Sequence, residues 1–145
     1  MVHIPHDAKW YLAEIVQEIT VQDDPRNIVW RNLTLVRADS PDEAYEKALS
    51  LGSDGKTQYE NPHGKLVHIT FRGLSSLNVI CDELEHGTEL LFHTDVNLSP
   101  KQINKILRSK NELEVFLPIQ KHDGPDIASR EVLEEVKKQF GIDPP

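Results

Sequence analysis

The sequence predicts an α+β domain. The expected architecture is an antiparallel or mixed sheet of five to seven strands, two helices packed on one face, and an appended C-terminal helix. Three observations carry it. The chain opens on a long alternating run, Trp10 to Val21. Two Ser-Pro-x-Glu/Gln helix starts, at Ser40 and Ser99, each follow a strand-like run. Between them, residues 56–96 read as successive strands with no helix between, which argues against a doubly wound parallel sheet.

The elements follow in order. In the first run Tyr11, Ala13, Ile15, Ile19 and Val21 share one parity, interrupted only by Gln17, as a strand with one buried face requires. Residues 22–27 (Gln-Asp-Asp-Pro-Arg-Asn) make a turn. The run Ile28 to Arg37 is rich in β-branched residues, so the pair reads as an antiparallel hairpin. Ser40, Pro41 and Glu43 form a capping grammar that predicts a helix over 41–51, ended by Gly52. Residues 57–60 form a short strand, 61–64 a turn, 66–71 a good strand that Gly73 breaks, and 74–81 another strand. A turn at 82–87 leads to a strong strand over 88–96. Ser99-Pro100-Lys101-Gln102 starts a second helix, to about residue 109, and Leu113 to Ile119 is a last strand. Residues 121–125 read as a linker to an amphipathic helix over 127–140, with Ala128, Val132, Leu133, Val136 and Phe140 in one stripe. The expected division is a core domain over 1–119, then linker and helix over 120–145.

Composition narrows the class. The chain has 145 residues, 38% hydrophobic and 28% charged, which suits one soluble globular domain. Its 16 bases and 24 acids give a net charge of −8. That balance argues against a general nucleic-acid binder. One cysteine, Cys81, excludes an internal disulfide and a CxxC zinc ribbon. No apolar run reaches membrane-spanning length, and Met1 to Lys9 lacks the apolar core of a signal peptide. The expected compartment is a reducing cytoplasm, with no membrane partner and no cofactor.

Several motifs together resemble a bacterial family, domain of unknown function 4288. They are Trp10-Tyr11 opening the first strand, Trp30 in the second, and Ala38-Asp39-Ser40-Pro41-Asp42-Glu43-Ala44. Then come Phe71-Arg72-Gly73-Leu74 with Leu77, and Gly87-Thr88-Glu89. The resemblance spans roughly residues 10–117 and implies a compact α+β domain. It carries no activity, substrate or site residue.

Candidate chemistry is sparse. Seven histidines and Cys81 suit zinc, yet none has a tight ligand spacing, and the expectation is no metal. His68 and His93 fall on two predicted strands, and Glu89 opens the second of these. With Arg72, they make a candidate pocket if the strands pair. Glu89 is also suited to a structural ion pair with Arg72. Cys81 shares the parity of Leu77 and Val79, which predicts an apolar, inert thiol. No G-x-S-x-G, G-x-G-x-x-G or P-loop pattern is present.

The charge layout is the strongest local feature. Residues 97–111 hold Lys101, Lys105, Arg108 and Lys110 and no acid. On a helix, Lys101, Lys105 and Arg108 fall within about a 60° sector, opposite Ile103, Ile106 and Leu107. This stripe fits an acidic partner surface or an anion. The leading expectation is a small, acidic, non-enzymatic protein-binding module, an inhibitor- or immunity-like partner that also forms a homodimer. Two alternatives stand beside it. One is a small hydrolase or metal-dependent enzyme using His68, His93 and Glu89. The other is an oligomeric scaffold that swaps its C-terminal helix.

Overall fold

The computed structural model describes residues 7–55, 57–119 and 123–141. Strand β1 (Trp10–Val21) pairs antiparallel with β2 (Asn27–Arg37). Its other edge pairs antiparallel with β4 (Leu66–Ile80), and short β3 (Gln58–Glu60) adds to β4. The order is β2-β1-β4-β3. The α+β class and the hairpin hold, but four strands replace the expected five to seven.

Three expected strands account for the difference. Gly73 does not break its strand. It takes φ +137°, a conformation that favours glycine. Ser75 and Arg72 are the extra residues where the register against β1 slips, between Glu14 and Ile15 and again between Val16 and Gln17. Two bulges thus carry one strand through the glycine. Residues 88–96 form no strand. Leu113 to Ile119 is also not a strand. A 3₁₀ turn at Lys110–Glu112 ends just before it, and a second takes up Glu114–Phe116. There the amides of Leu113, Phe116 and Leu117 bond carbonyls three residues back, so local bonds take the groups a ladder needs.

The alternating pattern of β1 decides which face is buried. Tyr11, Ala13, Ile15, Ile19 and Val21 are buried, and β4 lines the same face with Val67, Ile69, Phe71, Leu74, Leu77 and Val79. Helix α1 (Pro41–Ser53) covers part of it. Ser40 Oγ accepts the Glu43 amide at 3.1 Å, as the capping motif predicts. Small residues Ala44, Ala48 and Gly52 are buried along α1. Gly52 lies inside the helix rather than ending it. A Cβ there would sit 2.3 Å from the Phe71 ring, so glycine serves close packing.

The end of the chain is tied to the β3 edge. Pro125 is fully buried, and Ile127 packs against Ile19, Val21 and Val67. Asn61 is 2% exposed and bonded through both its amide oxygen and its amide nitrogen. Its Oδ1 accepts the amides of His63 and Lys65, and its Nδ2 donates to the Asp126 carbonyl at 3.1 Å. Tyr59 donates its hydroxyl to the Ile127 carbonyl. Helix α3 (Arg130–Phe140) then starts on a Ser129 cap and stops at Gly141, which has φ +66°. The predicted linker therefore ends in an anchored strap.

Candidate functional site

Two surfaces remain once the core is assigned. The first is the sheet face opposite α1. Register places Val29, Arg31, Leu33 and Leu35 of β2 there, opposite Glu18, Val16, Glu14 and Leu12, and at one end of this face Leu12 and Ile80 are themselves buried. Val29, Leu33 and Leu35 are 53%, 59% and 43% exposed. The charged groups on this face are neutralised locally. Arg31 Nη2 meets Glu14 Oε1 at 2.6 Å, and Arg72 Nη1 lies 3.8 Å from Glu18 Oε1. Arg37 lies over the Trp10 ring at 5.9 Å. β2 is also an edge strand, so its outer backbone groups have no strand partner among the described residues.

The second surface is a stretch of chain. From Cys81 through Ile119 no residue is buried. The described residues fall into two units, one running to Leu91 and resuming at Gly124, the other spanning Phe92–Asp123. In the second unit, α2 (Pro100–Ile106) has a full capping box between Ser99 and Gln102, yet it buries nothing. Of the two helices expected on one sheet face, only α1 buries a face, among the described helices, in the way predicted. Phe92, Val96, Ile106, Leu107, Val115 and Phe116 are all at least half exposed. Local order is nonetheless well defined. Ser109 and Glu112 close a second cap, and Ser109 holds the Glu112 carboxyl below its usual range. Lys110 Nζ sits 5.3 Å from the Phe116 ring centre.

Lys101 and Lys105 lie on α2, but the helix ends at Ile106, so Arg108 falls beyond it. Arg108 instead turns back, donating Nη1 to the carbonyls of Lys105 and Leu107 at 2.7 and 3.0 Å. It acts as a C-terminal cap on the short helix. The three bases therefore share a cationic segment rather than one helical stripe. His68 is exposed on β4, on the open sheet face beside Thr20. Glu89 is exposed in irregular chain of the same unit, and His93 belongs to the second unit. Arg72, offered as a partner for Glu89, pairs with Glu18.

Gly87-Thr88-Glu89 opens no strand. Thr88 Oγ1 accepts the Glu85 amide at 2.9 Å and donates to the Glu83 carbonyl, closing an acidic turn. Cys81 is exposed rather than buried, because β4 ends at Ile80 and the strand parity no longer applies to it. Among the described residues no group of three or more His, Cys, Asp or Glu is placed to hold a metal ion. Among them, too, no helix is long and apolar enough to cross a membrane.

Sequence reasoning missed the strap. Tyr59, Asn61 and Asp126 carried no motif, since their bonds join side chains to backbone carbonyls far along the chain. A shallow cleft of about 230 Å³ lies beside it, lined by Tyr59, Glu60, Ser129, Arg130, Glu131 and Glu134. Arg130 spans it, 3.6 Å from Glu60 and 3.3 Å from Glu134. Burial and the nearby Asp126 carboxylate push the Tyr59 hydroxyl pKa up.

These features define a small α+β domain, one helix laid over one face of a four-stranded antiparallel sheet. Residues 10–92 match the family described as Domain of unknown function (DUF4288), and the chain belongs to that family. The match takes in all four strands and α1 and stops at Phe92, short of the span to residue 117 suggested by the motifs. No curated protein and no solved structure matches the chain.

Proposed function

We propose that this chain is a small, acidic, non-enzymatic protein-binding module, an inhibitor- or immunity-like partner whose recognition segment is residues 92–119. One observation carries the reading. The segment is rich in Leu, Ile, Val and Phe, has capped local structure, and buries no residue. Apolar surface on this scale is costly in water, and monomeric proteins keep contiguous apolar patches to a few hundred Å² at about the upper end. Interfaces are where such residues gain burial, with cations such as Lys101, Lys105 and Arg108 steering the encounter at the rim.

The test is site-specific photo-crosslinking in cells. A photoreactive residue replaces Phe92 or Phe116 in the segment, or Glu46 on exposed α1 as the control. The reading expects a discrete polypeptide adduct from both segment positions and none from position 46. It is overturned if the segment positions give no adduct beyond the control.

A further inference from the structure

We propose that the free backbone edge of β2 pairs with the same edge of a second copy of this chain. The two β2 strands lie antiparallel about a two-fold axis at Asn32 and join the two sheets into one. The inference goes beyond the reading of residues 92–119 and draws on none of them. Three observations carry it.

The first is what the edge presents. In an antiparallel pair, alternate residues turn both backbone groups toward the same neighbour. The Ala38 amide donates to the Lys9 carbonyl at 2.9 Å, in register with the β1–β2 ladder, so the even-numbered residues of β2 serve β1. Val29, Arg31, Leu33 and Leu35 therefore turn N–H and C=O outward, where they meet no strand among the described residues. The Arg37 carbonyl points the same way, because Lys47 Nζ donates to it at 2.8 Å. A row of donors and acceptors at this spacing is the complement of another extended strand.

The second is that the two edges of the sheet are treated differently. β3 is three residues long, and Tyr59 and Asn61 beside it tie down the chain at Asp126 and Ile127. β2 runs eleven residues in unbroken register with β1 and holds no proline, lysine or acid. Short strands, covers, bulges, prolines and lysines are what keep an edge unpaired. Val29, Trp30, Arg31, Asn32 and Leu33 are all exposed, so both faces of β2 are open at its middle.

The third selects the occupant. The aliphatic pattern of β2 is symmetric about its midpoint: Ile28 and Val29 precede Asn32 at the same intervals at which Val36 and Leu35 follow it. A two-fold axis at Asn32 pairs the whole strand. It sets Ile28 opposite Val36 of the other copy, Val29 opposite Leu35, Trp30 opposite Thr34 and Arg31 opposite Leu33. Aliphatic and aromatic–β-branched cross-strand pairs are favourable ones. An axis at Arg31 would set that cation against its own copy, which costs stability. An axis at Leu33 would set Val29 against Arg37, whose carbonyl Lys47 already occupies. With the axis at Asn32, Arg31 keeps its ion pair to Glu14 of its own chain and no acid or base of β2 opposes a like charge.

The experiment uses the full chain. Sedimentation equilibrium of the wild type should give twice the chain mass. Leu33→Pro deletes an outward N–H and leaves the β1 ladder bonded, a place where an edge strand accepts proline. It should keep the circular dichroism of the wild type and raise the dimer dissociation constant about a hundredfold. Disulfides then read the register. With the exposed Cys81 replaced by Ser, Asn32→Cys sets two thiols across the axis. Their Cα atoms should lie roughly 4.5 Å apart, as in a non-hydrogen-bonded pair, and mild oxidation should join them. Val29→Cys, whose counterpart lies roughly 20 Å away along the strands, should stay reduced. A wild-type monomer overturns the inference. So does a folded Leu33→Pro dimer as tight as the wild type, and so do equal disulfide yields at positions 32 and 29. If Leu33→Pro loses its circular dichroism, the disulfide pair decides. None of these outcomes touches the reading of residues 92–119, whose adducts are read at Phe92 and Phe116.

Discussion

β4 and the stretch from Thr88 to Ile119 hold similar residues and meet opposite fates. Leu66–Ile80 alternates Val67, Ile69 and Phe71 with polar groups and becomes a fifteen-residue strand against β1. Leu113, Val115, Leu117 and Ile119 also share one parity, yet a 3₁₀ turn at Glu114–Phe116 occupies the middle of that run and all four side chains stay exposed. Alternation is necessary for a half-buried strand but creates none. A neighbour must accept its ladder, and the described residues of its own unit, Phe92–Asp123, contain no strand. The lesson concerns energy as well as shape. The body folds on its own contacts, whereas the apolar groups of the segment await contacts that its own unit does not supply.

Matched substitutions in the two regions sharpen that contrast, and the largest effect is expected in the core. Ile19 is fully buried, so Ile19→Ala should cost about 3–4 kcal/mol in urea unfolding through lost burial and a cavity. Ile106→Ala, the same change at a 59% exposed site, should move the unfolding of the monomeric body by less than about 0.5 kcal/mol. Equal losses at both sites would break the distinction. Next in size is Gly52→Ala. The new methyl meets the Phe71 ring, and the forced shift should cost about 1–3 kcal/mol by thermal denaturation.

The strap gives a smaller effect with a pH signature. Tyr59→Phe keeps the ring and loses the bond to the Ile127 carbonyl, an expected loss of about 1 kcal/mol. Burial raises the Tyr59 pKa in the folded state, so its contribution is complete below the unfolded value of about 10 and is lost as pH rises through the folded one. Amide exchange at residues 126–128, corrected for its intrinsic base catalysis, should therefore accelerate in that alkaline window in the wild type. It should show no such step in Tyr59→Phe. Smallest is the pair of caps. Ser40→Ala should lower stability by about 1 kcal/mol. Ser99→Ala should reduce helical circular dichroism at α2 while leaving the unfolding midpoint in place.

What could be read from residues alone follows the same division. The hairpin, α1 and the two Ser-Pro caps were legible because their signals are local: parity, turn chemistry and hydroxyl-to-amide spacing. The burial of one β1 face followed from Tyr11, Ala13, Ile15 and Ile19 in turn. The continuity of β4 was not legible, since Gly73 signals a break and a bulge equally, and only the register against Val16 decides. The strand expected over 88–96 failed although Leu90-Leu91-Phe92 has strand propensity, because propensity alone supplies no ladder. For the candidate site, the cationic residues of 97–111 were visible, but the exposure of Ile106 and Leu107 was not. Burial depends on what the rest of the chain leaves uncovered.

The strand order has a consequence in time. β1 and β2 are joined by a short turn, where Arg26 holds Asp24 through a 2.9 Å ion pair, so their hairpin can close early. β4 reaches the opposite edge of β1 only after β2, α1 and β3 have been passed, at a larger loop-closure cost. During synthesis the hairpin therefore waits with one edge and one apolar face open. The docking of β4, with its two slips around Gly73, is the step that should set the folding rate. A substitution at Gly73 should slow refolding in stopped-flow measurements more than one in the β1–β2 turn.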